Sequence, residues 1–235
     1  MKQLLVVDLG RTKYAEAWEL QKKIFSARLE QRIGDVLLLT EHDPVFTLGK
    51  GANENHLLAN ESELSEKKID MFWIDRGGDV TFHGPGQIVG YPILDLNQHY
   101  LDIHRYLRDI EEMIIRTLNV YGIAAGREKE FTGVWVKNEK IAALGVKVSK
   151  WITMHGFALN VNTDLSFFDR IIPCGIFHKG VTSLHNVLET SIDITEVHKH
   201  LVKHFSQIFS LEVKQISKED LLSLLHHHEA AVEEN

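Results

Sequence analysis

One sulfur and one amine in this sequence have the residue types and surroundings that nucleophilic catalysis needs. Cys174 lies in RIIPCGIF, between Pro173 and Gly175, and it is the only cysteine of the chain. Loop turns often display functional residues, although a free cysteine is otherwise among the most buried residue types. A nucleophilic cysteine needs a nearby cation or base to form its thiolate. The candidates are Lys140, His83, His155 and His178.

The surroundings of these candidates leave two interpretations open. Lys140 begins an apolar strand, KIAALGV, where it is either a solvated edge charge or an inward-pointing functional amine, and the residues alone favour the solvated form. His155 lies in the apolar segment MHGFALNV and has the character of a core histidine with a hydrogen-bond partner. The run His226–His228 cannot converge on one ion from a helix. Without HExxH or CxxC spacing, no metal site is predicted.

A glycine-rich loop is the densest motif of the chain. RGGDVTFHGPGQ, from Arg76 to Gln87, holds four glycines and is bracketed by Arg76 and His83. Glycine lets a ligand approach the backbone closely. The pattern fits neither a P-loop nor a dinucleotide-binding loop. A structural turn is the alternative, but two glycine clusters together with arginine and histidine favour a ligand-binding loop.

Length and composition limit the class of protein. The 235 residues include 26 Lys and Arg against 33 Asp and Glu, a net charge of −7, which disfavours nucleic acid as a partner. At 44% hydrophobic residues the chain can bury a sizeable core. No apolar run approaches the ~20 residues that a bilayer requires, and the N-terminus lacks the features of a secretory signal. We therefore expect no membrane partner. A single cysteine forms no intrachain disulfide, which is typical of a cytoplasmic protein, so the cytoplasm is the expected location.

The pattern of apolar residues predicts the elements that must position these groups. Residues 132–162 read as successive strands with short turns, which favours antiparallel pairing. We therefore predict an α+β fold, a largely antiparallel sheet packed with helices. The chain is expected to be one domain, 1–235, with residues 190–235 as a possible helical cap. Strands are predicted at 3–8, 35–42, 71–75 and 89–96, and helices at 14–33, 103–121 and 195–209.

Four motifs in register resemble the lipoyl(octanoyl) transferase family. They are RGGDVTFHGPGQ, KIAALGV, HGFALNVNTDL and IIPCGI, and TEHDPVFTLGKG at 40–51 resembles that family's upstream segment. The resemblance covers about residues 35–187. The chain ends, 1–34 and 188–235, match only in general character.

The resemblance implies a function and a site. The family transfers an octanoyl group from acyl carrier protein, where phosphopantetheine carries it, to a lysine of a lipoyl domain or of the glycine-cleavage H protein. Its fold resembles the biotin and lipoate ligase catalytic domain, and it uses neither ATP nor a metal. By resemblance, Cys174 forms an acyl-thioester and Lys140 tunes its thiol. The implied acyl pocket comprises Arg76, Gly77, Gly78, Asp79, Val80, Thr81, Phe82, His83, Ala143, Leu144, Gly145, Gly156, Phe157 and Ala158.

Small residues on the predicted strands have two explanations that are compatible with each other. They leave space for a flexible eight-carbon chain, or they allow close packing between layers. They are Ala142, Ala143, Gly145, Gly156 and Ala158. Because acyl carrier proteins are acidic, docking calls for a local basic patch, for which the candidates are Lys147, Lys150 and Lys179.

Three other functions remain open at this point. An ATP-dependent lipoate or biotin ligase shares the implied fold, but it needs no nucleophilic cysteine. A non-catalytic module that binds acyl carrier protein would leave Cys174 inert. A cysteine hydrolase would need a Cys–His pair with an orienting third group, and no spacing in the chain argues for one.

Overall fold

The computed structural model describes residues 2–172 and 180–233. Its α-helices are α1 (Tyr14–Leu29), α2 (Glu61–Glu66), α3 (Ile103–Val120), α4 (Leu184–Leu188), α5 (Ile194–Phe209) and α6 (Lys218–Glu233). Its strands are β1 (Lys2–Thr12), β2 (Asp35–His42), β3 (Val45–Leu48), β4 (Asp70–Trp73), β5 (Val80–His83), β6 (Gln87–Ile93), β7 (Val134–Val136), β8 (Glu139–Ser149), β9 (Ile152–Asn160), β10 (Gly180–Val181) and β11 (Leu211–Gln215). Short 3₁₀ helices lie at Glu54–His56, Leu96–Gln98 and Leu165–Arg170.

The larger of two sheets has the strand order β10-β8-β9-β6-β2-β1-β11, with β7 also paired to β8. Its central pairs β2–β6, β6–β9 and β8–β9 are antiparallel. Strand β1 runs parallel to β2 and to β11, and β10 runs parallel to β8. A parallel pair needs a crossover connection, and α1 supplies it between β1 and β2. The predicted α+β fold with a largely antiparallel sheet is confirmed.

The hairpin of β8 and β9 sets the register of the region predicted to hold the site. Its two turn residues, Lys150 and Trp151, both have positive φ, 50° and 65°. Positive φ at both central positions defines the tight type I′ turn, whose twist matches that of the strands it joins. The turn fixes which residues lie opposite each other. The resulting pairs include Ala143 with Ala158 and Gly145 with Gly156.

Helices cover both faces of the larger sheet. On one face α3 and α5 bury apolar residues such as Ile110, Ile114, Leu201 and Phe205. Helix α3 begins where Asp102 accepts a hydrogen bond from the Arg105 amide (2.9 Å), a standard N-cap. On the other face α1 and α6 pack in a second apolar core. The predicted helices at 103–121 and 195–209 are thus confirmed, and α5 and β11 are built into the same layers as the rest of the fold.

A smaller sheet of order β4-β3-β5 lies beside the larger one and has its own core. The glycine-rich segment leaves this sheet at β4, returns to it as β5, and then enters β6 of the larger sheet. The segment therefore runs between the two sheets, where a ligand can be enclosed. Among the described helices, none combines the length and the apolar character that crossing a bilayer demands.

Candidate active site

A cavity of about 460 Å³ lies between the two sheets, under the glycine-rich loop. Ligand pockets usually have volumes of roughly 300–1,000 Å³ and mostly apolar walls. Every residue of the implied acyl pocket lines this cavity except Phe82, and Lys140 lines it too. Two distant regions of the chain are therefore brought to one space: the glycine-rich loop with β5, and the hairpin of β8 and β9.

Phe82 is the exception because of strand alternation. Thr81 and His83 line the cavity, so the side chain between them points to the opposite face of β5. There Phe82 is buried and stacks on Phe167, with ring centroids 4.5 Å apart, and it packs on Phe46 at 5.5 Å. The expectation that its side chain lines the acyl pocket is corrected: Phe82 belongs to the core of the smaller sheet.

Arg76 anchors the glycine-rich loop. Its side chain is only 7% exposed, and Nη2 donates hydrogen bonds to the carbonyl oxygen (2.7 Å) and the hydroxyl (2.9 Å) of Thr47. The Gly77 amide donates to the Val146 carbonyl at 2.9 Å, which ties the same loop to the edge of β8. Buried charge-assisted hydrogen bonds of this kind are strong. The Arg76 side chain therefore ties the loop to the smaller sheet, and the Gly77 amide ties the same loop to the larger one.

The glycines of β8 and β9 serve close packing. A Cβ at Gly145 would lie 2.9 Å from the Gly77 carbonyl oxygen, and a Cβ at Gly156 would collide with the Gly90 carbonyl oxygen. The close packing explanation therefore holds for these glycines, and because both also line the cavity, it is compatible with the explanation that they leave space for a ligand. Ala143 and Ala158 line the cavity, whereas Ala142 is buried in the α3 and α5 core and leaves no space for a ligand there.

This packing predicts a stability effect that is independent of function. Gly156→Ala should lower the free energy of unfolding by about 2–3 kcal/mol, because the added methyl group forces β9 away from β6. Gly126→Ala is the matched control, since no atom lies within 4 Å of its added Cβ; its effect should stay within about 0.5 kcal/mol. Urea denaturation of both variants measures the difference. Equal midpoints would contradict the packing argument.

Lys140 has its amine inside the molecule. The residue is 9% exposed, and its Nζ lies 4.9 Å from the centroid of the Trp135 ring, a cation–π distance. Its backbone is fixed from both sides, because Val181 of β10 pairs with it on one side and Trp135 of β7 on the other. The solvated interpretation of this lysine is therefore wrong. Lys140 is thus a buried residue that lines the cavity.

Cys174 and His178 lie outside the described residues, and so does Lys179. The chain on either side of them reaches the cavity walls. Before the segment, the Ile172 amide donates to the His56 carbonyl (2.8 Å), and the His56 ring donates to the cavity residue Asp79 (2.5 Å). After it, Val181 itself lines the cavity.

The two described histidine candidates are neutral at physiological pH. Burial, helped by the neighbouring His42, lowers the pKa of His83 to about 3, and its Nδ1 donates to the Gln87 side chain at 2.8 Å. Burial lowers the pKa of His155 to about 4, although Asp75 accepts from its Nε2 at 2.8 Å. A neutral imidazole supplies no positive charge to a thiolate. Among Lys140, His83 and His155, only Lys140 remains as a possible cation.

The two described docking candidates, Lys147 and Lys150, differ in how freely their charges face solvent. Lys147 donates to Asp75 at 2.6 Å. Burial raises the pKa of Asp75, but hydrogen bonds from Lys147 and His155 outweigh it and bring the pKa to about 2. The charge of Lys147 is thus already balanced. Lys150 is exposed in the β8–β9 turn.

Several cavity residues were not singled out from the sequence. Tyr14 comes from the start of α1 and Leu107 from α3, both far from the motifs in the chain, whereas Tyr91 lies in β6, four residues after the glycine-rich segment ends. No local motif marks them, so only the fold reveals their position. No group of three or more histidine, cysteine and acidic side chains could hold a metal ion within the described residues, and His226 is exposed on α6.

Comparisons with known proteins agree with this geometry. Residues 13–206 match the family model described as the lipoyl protein ligase A/B catalytic domain. The chain is similar to an octanoyltransferase of Rubrobacter xylanophilus, with 53% identity over 85% of this chain and 90% of the relative. It is also similar to an octanoyltransferase of Cytophaga hutchinsonii, with 44% identity over 91% of this chain and 95% of that relative.

The solved structures extend the likeness to the fold. A bipartite lipoate protein ligase of Thermoplasma acidophilum superposes with a TM-score of 0.74 at 16% identity, covering 97% of this chain and 92% of that one. At such low identity the likeness concerns the fold alone. The observed α+β architecture is thus that of lipoate ligase catalytic domains.

Proposed function

Since the chain belongs to the lipoyl protein ligase A/B catalytic family, and within it to the octanoyltransferases, we propose that it transfers its acyl group through a thioester on Cys174 with Lys140 as the proton carrier. The chain is a transferase that moves octanoyl groups in protein lipoylation. Its substrates are, in general terms, an acyl donor and a lipoyl-domain protein. Octanoyl acyl carrier protein as donor, and a lipoyl domain or glycine-cleavage H protein as acceptor, are part of the proposal.

One observation carries the proposal: a buried lysine, Lys140, lines a mostly apolar cavity. Lys140 and the alanines Ala143 and Ala158 line the same space of about 460 Å³. Such a space accommodates an eight-carbon chain and keeps water from its surface. A reactive thioester whose carbonyl lies near the amine would have its chain buried in this cavity.

The first half of the reaction exchanges one thioester for another. The Cys174 thiol gives its proton to Lys140, and the thiolate attacks the carbonyl carbon of the donor thioester. The new C–S bond forms as the bond to the phosphopantetheine sulfur breaks, and that sulfur takes the proton from Lys140. Because the two thioesters are nearly equal in energy, the enzyme contributes orientation more than driving force.

The second half makes an amide. The amine of the acceptor lysine attacks the acyl carbonyl, the bond to the Cys174 sulfur breaks, and Lys140 carries the amine proton to that sulfur. An amide is more stable than a thioester, so this half runs in one direction. The Gly77 amide, one candidate for holding the oxyanion, is already bonded to the Val146 carbonyl. Gly78 and the turn at Gly175 remain as candidates, and Gly175 lies outside the described residues.

An ATP-dependent ligase is the competing function, since the fold neighbours include lipoate ligases. We propose that neither ATP nor a metal takes part. The Arg76 guanidinium, which could otherwise hold a phosphate, is hydrogen-bonded to Thr47 of β3 and to the Gly77 carbonyl, and so anchors the loop to the smaller sheet.

A transfer assay distinguishes the two functions. The chain is mixed with octanoyl acyl carrier protein and an apo lipoyl domain, in the presence of EDTA and without nucleotide. The lipoyl domain should gain one octanoyl group by intact mass. If acylation instead requires ATP and free octanoate, and fails with the carrier protein, the ligase interpretation replaces this one.

A further inference from the structure

Two tyrosines from α1 and β6, Tyr14 and Tyr91, line the cavity together with Lys140. We propose that Tyr14 and Tyr91 set the maximum length of the acyl chain, and so determine that the enzyme prefers eight carbons. The inference rests on the proposed function, because it concerns the acyl group of the same cavity. It names a specificity role for residues outside the motifs of the glycine-rich loop, β8 and β9.

The strand register gives the separation, along the strand direction, between the backbone positions of Lys140 and Tyr91. Ala143 of β8 lies opposite Ala158 of β9, and Ala158 lies opposite Val89 of β6. Because β9 is antiparallel to both neighbours, β6 and β8 run in the same direction. Tyr91, two residues beyond Val89 on the same face of β6, is therefore level with Gly145, five residues beyond Lys140. At a rise of ~3.3 Å per residue the separation along the sheet is about 16 Å.

The length of an octanoyl group fits this distance. Its seven carbon–carbon bonds of ~1.5 Å each advance ~1.3 Å along an extended zigzag chain, which gives a length of roughly 9 Å. The remaining ~7 Å corresponds to the lysine side chain and the thioester at the other end. A chain that starts at a carbonyl near Lys140 crosses Ala143 and Ala158 and ends against Tyr91. Each further methylene would have to displace the tyrosine wall.

Hydrogen bonds and ring contacts hold this wall in place. His42 Nδ1 donates to the Thr12 carbonyl at 3.2 Å, so its Nε2 accepts the Tyr91 hydroxyl proton at 2.7 Å. Tyr14 packs edge-on against His42 (ring centroids 5.2 Å apart) and parallel to His83 (6.0 Å). All these side chains are buried.

The wall is also electrically neutral. Burial lowers the pKa of His42 to about 4 and raises the pKa values of Tyr91 and Tyr14 well above that of a free tyrosine. The wall is therefore an uncharged, closely packed surface that suits a methyl end. Packed interiors respond to extra methylenes with strain, because they contain few voids.

The test compares acyl chain lengths in competition. Wild-type enzyme and the variants Tyr14→Ala and Tyr91→Ala receive octanoyl and dodecanoyl carrier protein together, and the ratio of the two kcat/KM values is measured. Each alanine variant should shift the ratio toward the dodecanoyl group by about 10-fold or more. An unchanged ratio in both would overturn the proposal.

Two controls separate cavity length from general loss of stability. Tyr91→Phe removes the hydroxyl and keeps the ring, so the ratio should remain that of the wild type. Tyr106→Ala removes a fully buried tyrosine of α3 that does not line the cavity, so it should lower the melting temperature without changing the ratio. A shift in Tyr106→Ala as large as in Tyr91→Ala would reject the role of the wall.

A milder variant covers the case in which the alanine variants do not fold. Tyr91→Leu keeps an apolar core side chain but shortens the wall, and it should shift the ratio in the same direction. The wild-type enzyme tests the premise separately. If it transfers no acyl group of any length, the proposed function fails; if it transfers octanoyl but the ratio does not respond in Tyr91→Leu, only the role of the tyrosines fails.

Discussion

Serine in place of Cys174 is expected to lower octanoyl transfer from carrier protein by at least about 10³-fold, because removal of the nucleophile of a covalent mechanism has effects of this size or larger. A hydroxyl with a neighbouring amine is a far weaker nucleophile than a thiolate at neutral pH. The measurement is intact mass after mixing with octanoyl carrier protein and no acceptor. Wild-type enzyme should gain one octanoyl group, and Cys174→Ser should gain none.

The chemistry of the adduct provides the control. Cys174 is the only cysteine, so a thioester on this chain can form at no other residue. Hydroxylamine cleaves a thioester and leaves an amide intact, which separates acylation of Cys174 from acylation of a lysine such as Lys140. Cys174→Ser with wild-type transfer, or a wild-type adduct that resists hydroxylamine, would remove Cys174 from the mechanism. Rapid labelling of the wild-type thiol by iodoacetamide would further exclude an inert binding module.

Local patterns predicted the elements that carry the site. The apolar spacing from Ile103 to Tyr121 reports one buried face of a helix, and α3 occupies Ile103–Val120. The segment 132–162 alternates between strands and short turns, which restricts β7, β8 and β9 to antiparallel neighbours. Element ends were less accurate: the helix expected over 14–33 ends at Leu29, because the final turn gives way to an irregular connection before Gly34.

Side-chain direction and distant contacts were beyond local patterns. The motif containing Phe82 resembles a binding loop as a whole. Because side chains alternate along β5, however, the side chain of Phe82 points into the core of the smaller sheet. Gly145 and Gly156 line the cavity, but the backbones that approach them closely could not be known from the sequence. Tyr14 and Tyr91 belong to no motif, and only the packing of α1 and β6 in the fold brings both to the cavity. Such contacts depend on the tertiary fold and leave no periodic signal.

The Lys140 substitutions test what the buried amine does. Lys140→Met keeps an unbranched apolar side chain beside Trp135 and removes the amine, so transfer should fall by about 10²-fold or more. Lys140→Arg keeps a positive charge but cannot release a proton at neutral pH. If Lys140 carries protons between the two sulfurs and the acceptor amine, arginine should be nearly as inactive as methionine. The rate of acyl-enzyme formation and the rate of amide formation are measured separately in single turnovers.

The two half-reactions make this prediction sharp. If Lys140 only stabilises the Cys174 thiolate by its charge, Lys140→Arg should keep part of the rate of the first half-reaction. If Lys140 carries protons, Lys140→Arg should be slow in both half-reactions. Melting temperatures close to that of the wild type are required in both variants, since Lys140 also packs on Trp135 and near Gly133. Transfer by Lys140→Met within a few-fold of wild type would contradict any catalytic role. Near-normal transfer by Lys140→Arg would show that the positive charge of residue 140 is sufficient, and it would exclude Lys140 as the proton carrier.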